Sequence, residues 1–315
     1  MLSLGIDFEA GRWKLAAWNE DRAADLHTFG SMAALWEFVE DIFTAHPATP
    51  IVLPSGFGIP LTRAEDLLDR DIAEITLRRD AHVNDPLGQF LAEARRRPLR
   101  AFCIPAVRSL PSIPLHRKLN RVDLGTADVL CAAIWAIHSL AQVGLAYASS
   151  SFVLLHLRGD TKALVAIREG RIVDGIGRSA GEVGTVSRPA VDGLLTPLQR
   201  GIGRSHDASD LDNMETLLRE ARELAFWEAA EKDSALLLTF HSLSQLVVTG
   251  PRRAEAMHAL GEKLPVRALP ALVDGYEAAL GAALVAAGLT GGPTADLVQH
   301  VELRQARDRV FDWIL

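Results

Sequence analysis

Leu2-Ser3-Leu4-Gly5-Ile6-Asp7, a turn at Gly11, and Trp13-Lys14-Leu15-Ala16-Ala17-Trp18 open the chain. Two short apolar runs on either side of a glycine turn predict an antiparallel hairpin. The same grammar returns at mid-chain, in Phe152-Val153-Leu154-Leu155-His156-Leu157, a turn at Arg158-Gly159-Asp160, Ala163–Ile167, a turn at Glu169-Gly170, and Arg171-Ile172-Val173-Asp174-Gly175. Three strands joined by tight turns make a meander. Each opening is followed by strands alternating with helices. In the first half, Met32, Leu35, Phe38, Val39 and Ile42 stand at helical spacing behind Ser31, and Pro50–Pro54 is a brief buried strand. In the second, Leu246–Gly250 is a strand running into a turn, Arg252–Gly261 is helical, Val266–Leu269 is a short strand and Gly275–Ala287 is a helix of small residues. Two halves in one order predict a duplicated α/β architecture. The serine run near Ala146–Ser151 sets the expected boundary, giving domains 1–148 and 149–315.

A length of 315 residues suits two domains. With 49% hydrophobic and 23% charged residues and no low-complexity stretch, wholesale disorder is excluded. A net charge of −7, with basic clusters only at Arg95–Arg97 and Arg117–Arg121, argues against a grip on a phosphate backbone, so no nucleic-acid partner is expected. Cys103 and Cys131 cannot build a disulfide framework, and no Cys/His ligand spacing occurs, His206 and the other scattered histidines included. A cytoplasmic location is the expectation. Asp7 and Glu9 stand directly behind the short apolar start, unlike a signal peptide. Val129–Ser149 is apolar for roughly a bilayer span, but it is alanine-rich, carries His138, Ser139 and Gln142, and lacks basic anchors, so it is expected as a buried helix and no membrane partner is expected.

Between the halves' opening strands lie an apolar strand at Ala101–Val107, the proline-marked run Leu110–Arg121, and a long apolar helix from near Asp123. Ser55-Gly56-Phe57-Gly58 follows a strand as a loop, a natural ligand position.

With Asp7 ending the first strand of a duplicated domain, the chain resembles the ATPase superfamily of acetate kinase, sugar kinases, actin and the heat-shock chaperones. Leu4-Gly5-Ile6-Asp7 resembles its first phosphate loop, and His156–Asp160 through Asp174–Gly177 the second-domain meander of acetate and butyrate kinases. Val247-Val248-Thr249-Gly250 stands in the place of the adenosine motif, and Ala278–Ala283 looks like the small-residue helix that follows it. Pro54–Pro60, Pro114–Asp128 and Gly170–Gly177 are similar to blocks of the uncharacterised group usually labelled predicted butyrate kinases. The resemblance implies two RNase H-like (actin-like ATPase) domains with an interdomain cleft, ATP and Mg2+ as cofactors, and phosphate transfer to a small acid or cofactor intermediate. It also implies that Asp7 holds the magnesium, and that Gly11, Gly159, Asp160, Gly175, Gly177, Gly250 and Arg252 surround the nucleotide.

The chain departs from that pattern at two places. Glu9 and Ala10 replace the usual Gly and Thr after the motif aspartate, and Arg158 replaces a glycine of the second loop. Arg158 either pairs with Glu9 across the cleft or binds an anion. On the acceptor side, Asp123 and Asp128 flank Gly125-Thr126 at the start of the long helix, as general bases or as helix caps. His116, Arg117, Lys118 and Arg121 either clamp an acidic substrate or form a solvated basic face, and Ser55 either touches that substrate or only turns the chain. Two functions are therefore expected: a small-molecule kinase-like protein, or a degenerate member acting as a binding or scaffold protein. The expected partner is a small-molecule substrate, with a homodimer or partner protein left open.

Overall fold

The computed structural model describes residues 1–20, 22–180, 211–267, 269, 273 and 275–315; His206 lies outside them. The first sheet holds β1 (Ser3–Glu9), β2 (Arg12–Asn19), β3 (Arg22–Phe29), β4 (Ile51–Val52), β5 (Thr62–Arg63) and β6 (Ala101–Cys103), in the order β3-β2-β1-β4-β6-β5. Ala10 and Gly11 both have positive φ, at 49° and 76°. This is the two-residue hairpin turn whose twist matches that of its strands, and it fixes the register that sets Asp7 opposite Lys14 and Glu9 opposite Arg12. β3 was not expected. Its sequence, RAADLHTF, carries too few apolar residues to read as a strand, and it pairs on one side only. β4 and β6 run parallel to β1. α1 (Met32–Ala45) starts where Ser31 caps it, with Oγ accepting the Ala34 N–H at 3.2 Å.

Four further helices follow along the chain: α2 (Asp69–Thr76), α3 (Ala81–Asn84), α4 (Pro86–Ala94) and the single turn α5 (Leu115–Lys118). α6 (Ala127–Ala141) follows, buried along nearly its whole length. The second sheet then forms from β7 (Phe152–Arg158), β8 (Thr161–Arg168), β9 (Arg171–Ile176), β10 (Leu246–Thr249) and β11 (Val266–Arg267), in the order β11-β10-β7-β8-β9. Its helices are α7 (Leu211–Phe240), α8 (Arg253–Leu260), α9 (Glu277–Leu289) and α10 (Ala295–His300). The duplicated α/β fold with two mixed sheets is therefore present.

α6 and α9 pack against one another between the sheets. α9, from the second half, lies on β1, β2 and β4 of the first sheet, while α6, from the first half, lies on β7 and β8. The halves thus share one apolar core, drawn from both sheets and both helices. Small residues make this approach possible. A Cβ on Gly281 of α9 would lie 1.8 Å from the Cys131 carbonyl oxygen of α6, and one on Gly5 of β1 would lie 2.0 Å from the Ala279 carbonyl oxygen. α6 is far too short for a bilayer, and no helix among the described residues is long and apolar enough to cross one.

Candidate active site: a cleft closed by an arginine

A cleft of about 660 Å³ opens where the end of β1, the loop after β4, the start of α6 and the β7–β8 turn converge. Asp7, Glu9, Ser55, Asp123, Thr126, Asp128, Arg158, Gly159 and Asp160 all line it. The expected phosphate-loop and acceptor-side carboxylates are therefore in one place. What lies between them is Arg158.

Arg158 ends β7 and its side chain is only 8% exposed. Nη1 donates to Asp7 Oδ1 at 3.0 Å and lies 2.6 Å from Asp128 Oδ2. Nη2 sits 2.9 Å from Asp7 Oδ2 and donates to the Phe8 carbonyl at 2.8 Å. Nε is 3.4 Å from Glu9 Oε1. Of the two expectations for Arg158, pairing with Glu9 is the one found, and Asp7 and Asp128 share it. Glu9 also binds Lys14 Nζ at 2.6 Å, and the same ammonium donates to the Gly275 carbonyl at 2.7 Å. Burial works against an ionised Glu9, but Arg158 and Lys14 outweigh it and hold its carboxyl below the usual range. Asp7 behaves oppositely: burial, helped by the neighbouring Asp128 and Glu9, lifts its pKa despite Arg158.

Asp128 sits in the first turn of α6, where the helix dipole favours an anion. Oδ1 accepts the Thr126 hydroxyl at 2.5 Å, and Oδ2 pairs with Arg158 and Arg178. Burial opposes its charge, yet Arg178 and Arg158 hold its pKa well below that of an ordinary aspartate. So weak a base takes a proton poorly. Asp123 is spent differently: Oδ1 accepts the Gly125 N–H and Oδ2 the Ser179 N–H, both at 3.0 Å. The two expected catalytic aspartates reach the cleft wall, but one is an ion-pair partner and the other a backbone brace.

His156, at the centre of β7, is buried and bonds Thr249 Oγ1 through Nδ1 at 2.9 Å. Its Nε2 has no hydrogen-bond partner and faces Asp128 Oδ2 at 4.0 Å. Burial, with the nearby Arg178 and Arg158, lowers its pKa to about 3 against the pull of Asp128. The imidazole is neutral at physiological pH.

Other expected site residues have local duties. Ser55 lines the cleft, but its Oγ ties two loops together, donating to the Leu53 carbonyl at 2.8 Å and accepting the Ile104 N–H at 3.0 Å. The basic cluster does not line the cleft at all. Arg117 donates to the Val173 carbonyl at 2.6 Å and pairs with Asp174 at 3.1 Å, Lys118 pairs with Asp308 at 2.5 Å, and His116 and Arg121 are exposed. Residues adjacent along a single helical turn point to different sides, so the clamp expected from their sequence proximity does not form. Gly11 serves the hairpin turn and has open space around it. Gly250, Gly175 and Gly177 are required by packing: a Cβ would fall 1.9 Å from the Leu157 carbonyl oxygen, the Leu124 carbonyl oxygen and Asp123 Oδ1 respectively. Arg252, expected to stack on a base, lies over the chain's own Phe226 and Trp227 rings at 4.9 and 4.8 Å and pairs with Glu223 and Glu255. None of Gly11, Gly175, Gly177, Gly250 and Arg252 lines the cleft.

Three participants escaped the sequence reading. Lys14 was within reach of it, since the hairpin register sets it opposite Asp7 and diagonal to Glu9. Arg178 directly follows the Gly175–Gly177 block, a position with no signal of its own. His156 stands inside a run of strand residues, where nothing local marks it as a site residue.

The family described as protein of unknown function (DUF1464) matches residues 31–315. No curated protein matches the chain. Among solved structures, acetate kinase from Entamoeba histolytica is similar at a TM-score of 0.57 and 13% identity, over 84% of this chain and 86% of that one. A ROK family glucokinase from Streptomyces griseus, solved with glucose and AMPPNP, gives 0.46 and 12% over 91% and 99%. The activator of 2-hydroxyisocaproyl-CoA dehydratase from Clostridium difficile, with bound ADPNP, gives 0.44 and 11% over 95% and 97%. The likeness to acetate kinase bears on the fold alone: two mixed α/β sheets with their helices, arranged as in that structure.

Proposed function

Since the chain belongs to the family described as protein of unknown function (DUF1464), we propose that its kinase-like fold works here as a binding module, taking a small-molecule ligand in the cleft without transferring phosphate from ATP. One observation carries this reading: Arg158 and Arg178 use up Asp7, Glu9 and Asp128, the carboxylates that a cation and an acceptor proton would need. The fit to magnesium fails at the same point. Asp7, the residue the resemblance gives to the metal, has both oxygens on a guanidinium, and no group of three or more His, Cys, Asp or Glu among the described residues stands at metal-binding spacing. The cleft suits a ligand with an apolar body, which Phe57, Ile75, Leu87 and Ile104 would cover. The test is incubation with ATP, magnesium and a panel of short carboxylic acids and sugars. The reading expects no phosphorylated product above the no-enzyme control, and sustained turnover with any acceptor refutes it.

A second reading, phosphate transfer to a small acid, draws support from Asp123, Thr126 and Asp128 on the cleft wall at the start of α6. It requires Mg-ATP to draw Arg158 away from Asp7, so it predicts that saturating nucleotide alters the stability of that ion cluster.

A further inference from the structure

Three carboxylates and a backbone carbonyl surround the planar side chain of Arg158. A guanidinium has two N–H on each Nη and one on Nε. Here Nη1 meets Asp7 Oδ1 and Asp128 Oδ2, Nη2 meets Asp7 Oδ2 and the Phe8 carbonyl, and Nε faces Glu9 Oε1. Two of these contacts are hydrogen bonds, to Asp7 Oδ1 and the Phe8 carbonyl, and Asp7 Oδ2, Asp128 Oδ2 and Glu9 Oε1 stand at ion-pair distance; all come from β1 and α6 of the first half and surround a side chain from β7 of the second. Asp7 supplies the two-oxygen fork that recognises guanidinium better than a point charge. A magnesium ion instead demands near-octahedral oxygens at about 2.1 Å around one centre. The acceptors here are spread along the edges of a flat ion, and both Asp7 oxygens are already on the guanidinium.

We infer that the place between Asp7, Glu9 and Asp128 is a guanidinium site, filled by the chain's own Arg158, and that it is selective for small planar guanidinium or amidinium cations over divalent metals. The inference rests on reading the cleft as one that works without magnesium nucleotide, and names the cation that serves there. Arg158 is a resident organic cation: it neutralises the carboxylates, ties the two halves together, and leaves the cleft's charge balance independent of metal supply. Removing the side chain creates a receptor of defined chemistry.

The test compares the full-length native chain with Arg158→Ala by thermal unfolding in methylguanidinium chloride, magnesium chloride, manganese chloride or sodium chloride at matched ionic strength. Concentrations of about 10 mM suffice, because mass action at a millimolar Kd then moves the midpoint measurably. Arg158→Ala should melt several degrees below the native chain and regain at least half of that loss in methylguanidinium, with no such gain in either divalent salt, and the native midpoint should not respond to any of the four. Equal or greater rescue by magnesium or manganese, or no rescue by methylguanidinium, overturns the inference. Should Arg158→Ala fail to fold, Arg158→Lys and manganese resonance spectra of the native chain decide. Free manganese throughout, together with a lysine variant that melts lower despite its retained charge, supports the site; one bound manganese per native chain, or a lysine variant as stable as the native chain, overturns it. Phosphate transfer by the native chain sinks the proposed function but leaves the rescue result standing, so the two failures are distinguishable.

Discussion

Replacing His156 by glutamine should narrow the stability gap between variant and native chain as the pH falls. His156 is buried on β7 with Thr249 on its Nδ1, and Asp128 from α6, Arg158 from its own strand, Arg178 beyond β9 and Glu9 from β1 all act on it. Burial lowers its pKa to about 3 from an ordinary 6.5. The folded chain therefore binds fewer protons than the unfolded chain between those values. This stability is fully present above pH 6.5 and is lost as pH falls toward 3, at about 1.4 kcal/mol per pH unit. At pH 4.5, two units below 6.5, the native chain has lost about 2.7 kcal/mol through this group. That figure needs only a folded pKa well below 4.5, so it does not depend on the last unit of the shift. Glu9 and Asp128, whose lowered pKa values also withdraw stability in acid, and Asp7, whose raised pKa acts in the opposite sense, are common to both chains and cancel to first order. The assay is urea unfolding of both chains at pH 7.5 and 4.5. Glutamine fills most of the space and keeps a partner for Thr249, so it should cost about 1–2 kcal/mol at pH 7.5, and by pH 4.5 the variant should match or exceed the native chain. A gap that stays constant across that range would show that His156 titrates normally in the folded state, and its place in a buried cluster of ion pairs would be wrong.

Asp128→Asn should lower stability by about 3 kcal/mol, because it removes the shared partner of two guanidinium groups at a buried site; unfolding midpoints check this, and an unchanged midpoint would return Asp128 to the role of a solvent-facing base. Glu9→Gly should leave Mg-ATP binding as poor as before, since Arg158 retains Asp7 and Asp128, and calorimetry that finds binding tightened by ~1–2 kcal/mol would show that Glu9 repels phosphate after all. Gly281→Val should cost at least about 2 kcal/mol by forcing α9 off the Cys131 carbonyl oxygen of α6, read by chemical denaturation. Cys103 and Cys131 should resist thiol reagents in the native chain at pH 8, since burial pushes the Cys103 thiol up to about 12 and raises Cys131 well above its usual value; rapid labelling of either would contradict their burial.

The fold was legible where local pattern and tertiary environment agree. The apolar hairpin around Gly11, the β7–β9 meander and the Ser31-capped helix follow from alternation, turn chemistry and capping, which act over a few residues. β3 was not, because an edge strand needs few apolar residues, and α7 was not, because its apolar and polar residues do not sort cleanly onto opposite faces. The small residues of α9 did announce a close-packed helix, although not that it would lie on the opposite half's sheet. For the site, Asp7, Glu9, Arg158 and Asp128 were all singled out from the sequence, and a pairing of Arg158 with Glu9 was one of the two expectations. Their convergence on one guanidinium, from positions as far apart as Asp7 and Arg158, is a product of the interdomain packing that no local spacing encodes. The His116–Arg121 run misled for the complementary reason: nearness in sequence is not nearness to the cleft.

Calorimetric titration of Mg-ATP into the native chain decides whether Arg158 holds the cleft against nucleotide, because phosphate binding between the two hairpin loops has to compete with its ion pairs. No saturable heat is expected up to nucleotide concentrations of about 1 mM, the regime of roughly −4 kcal/mol of binding free energy. A one-to-one isotherm in the micromolar range, abolished by Asp7→Asn, would contradict it.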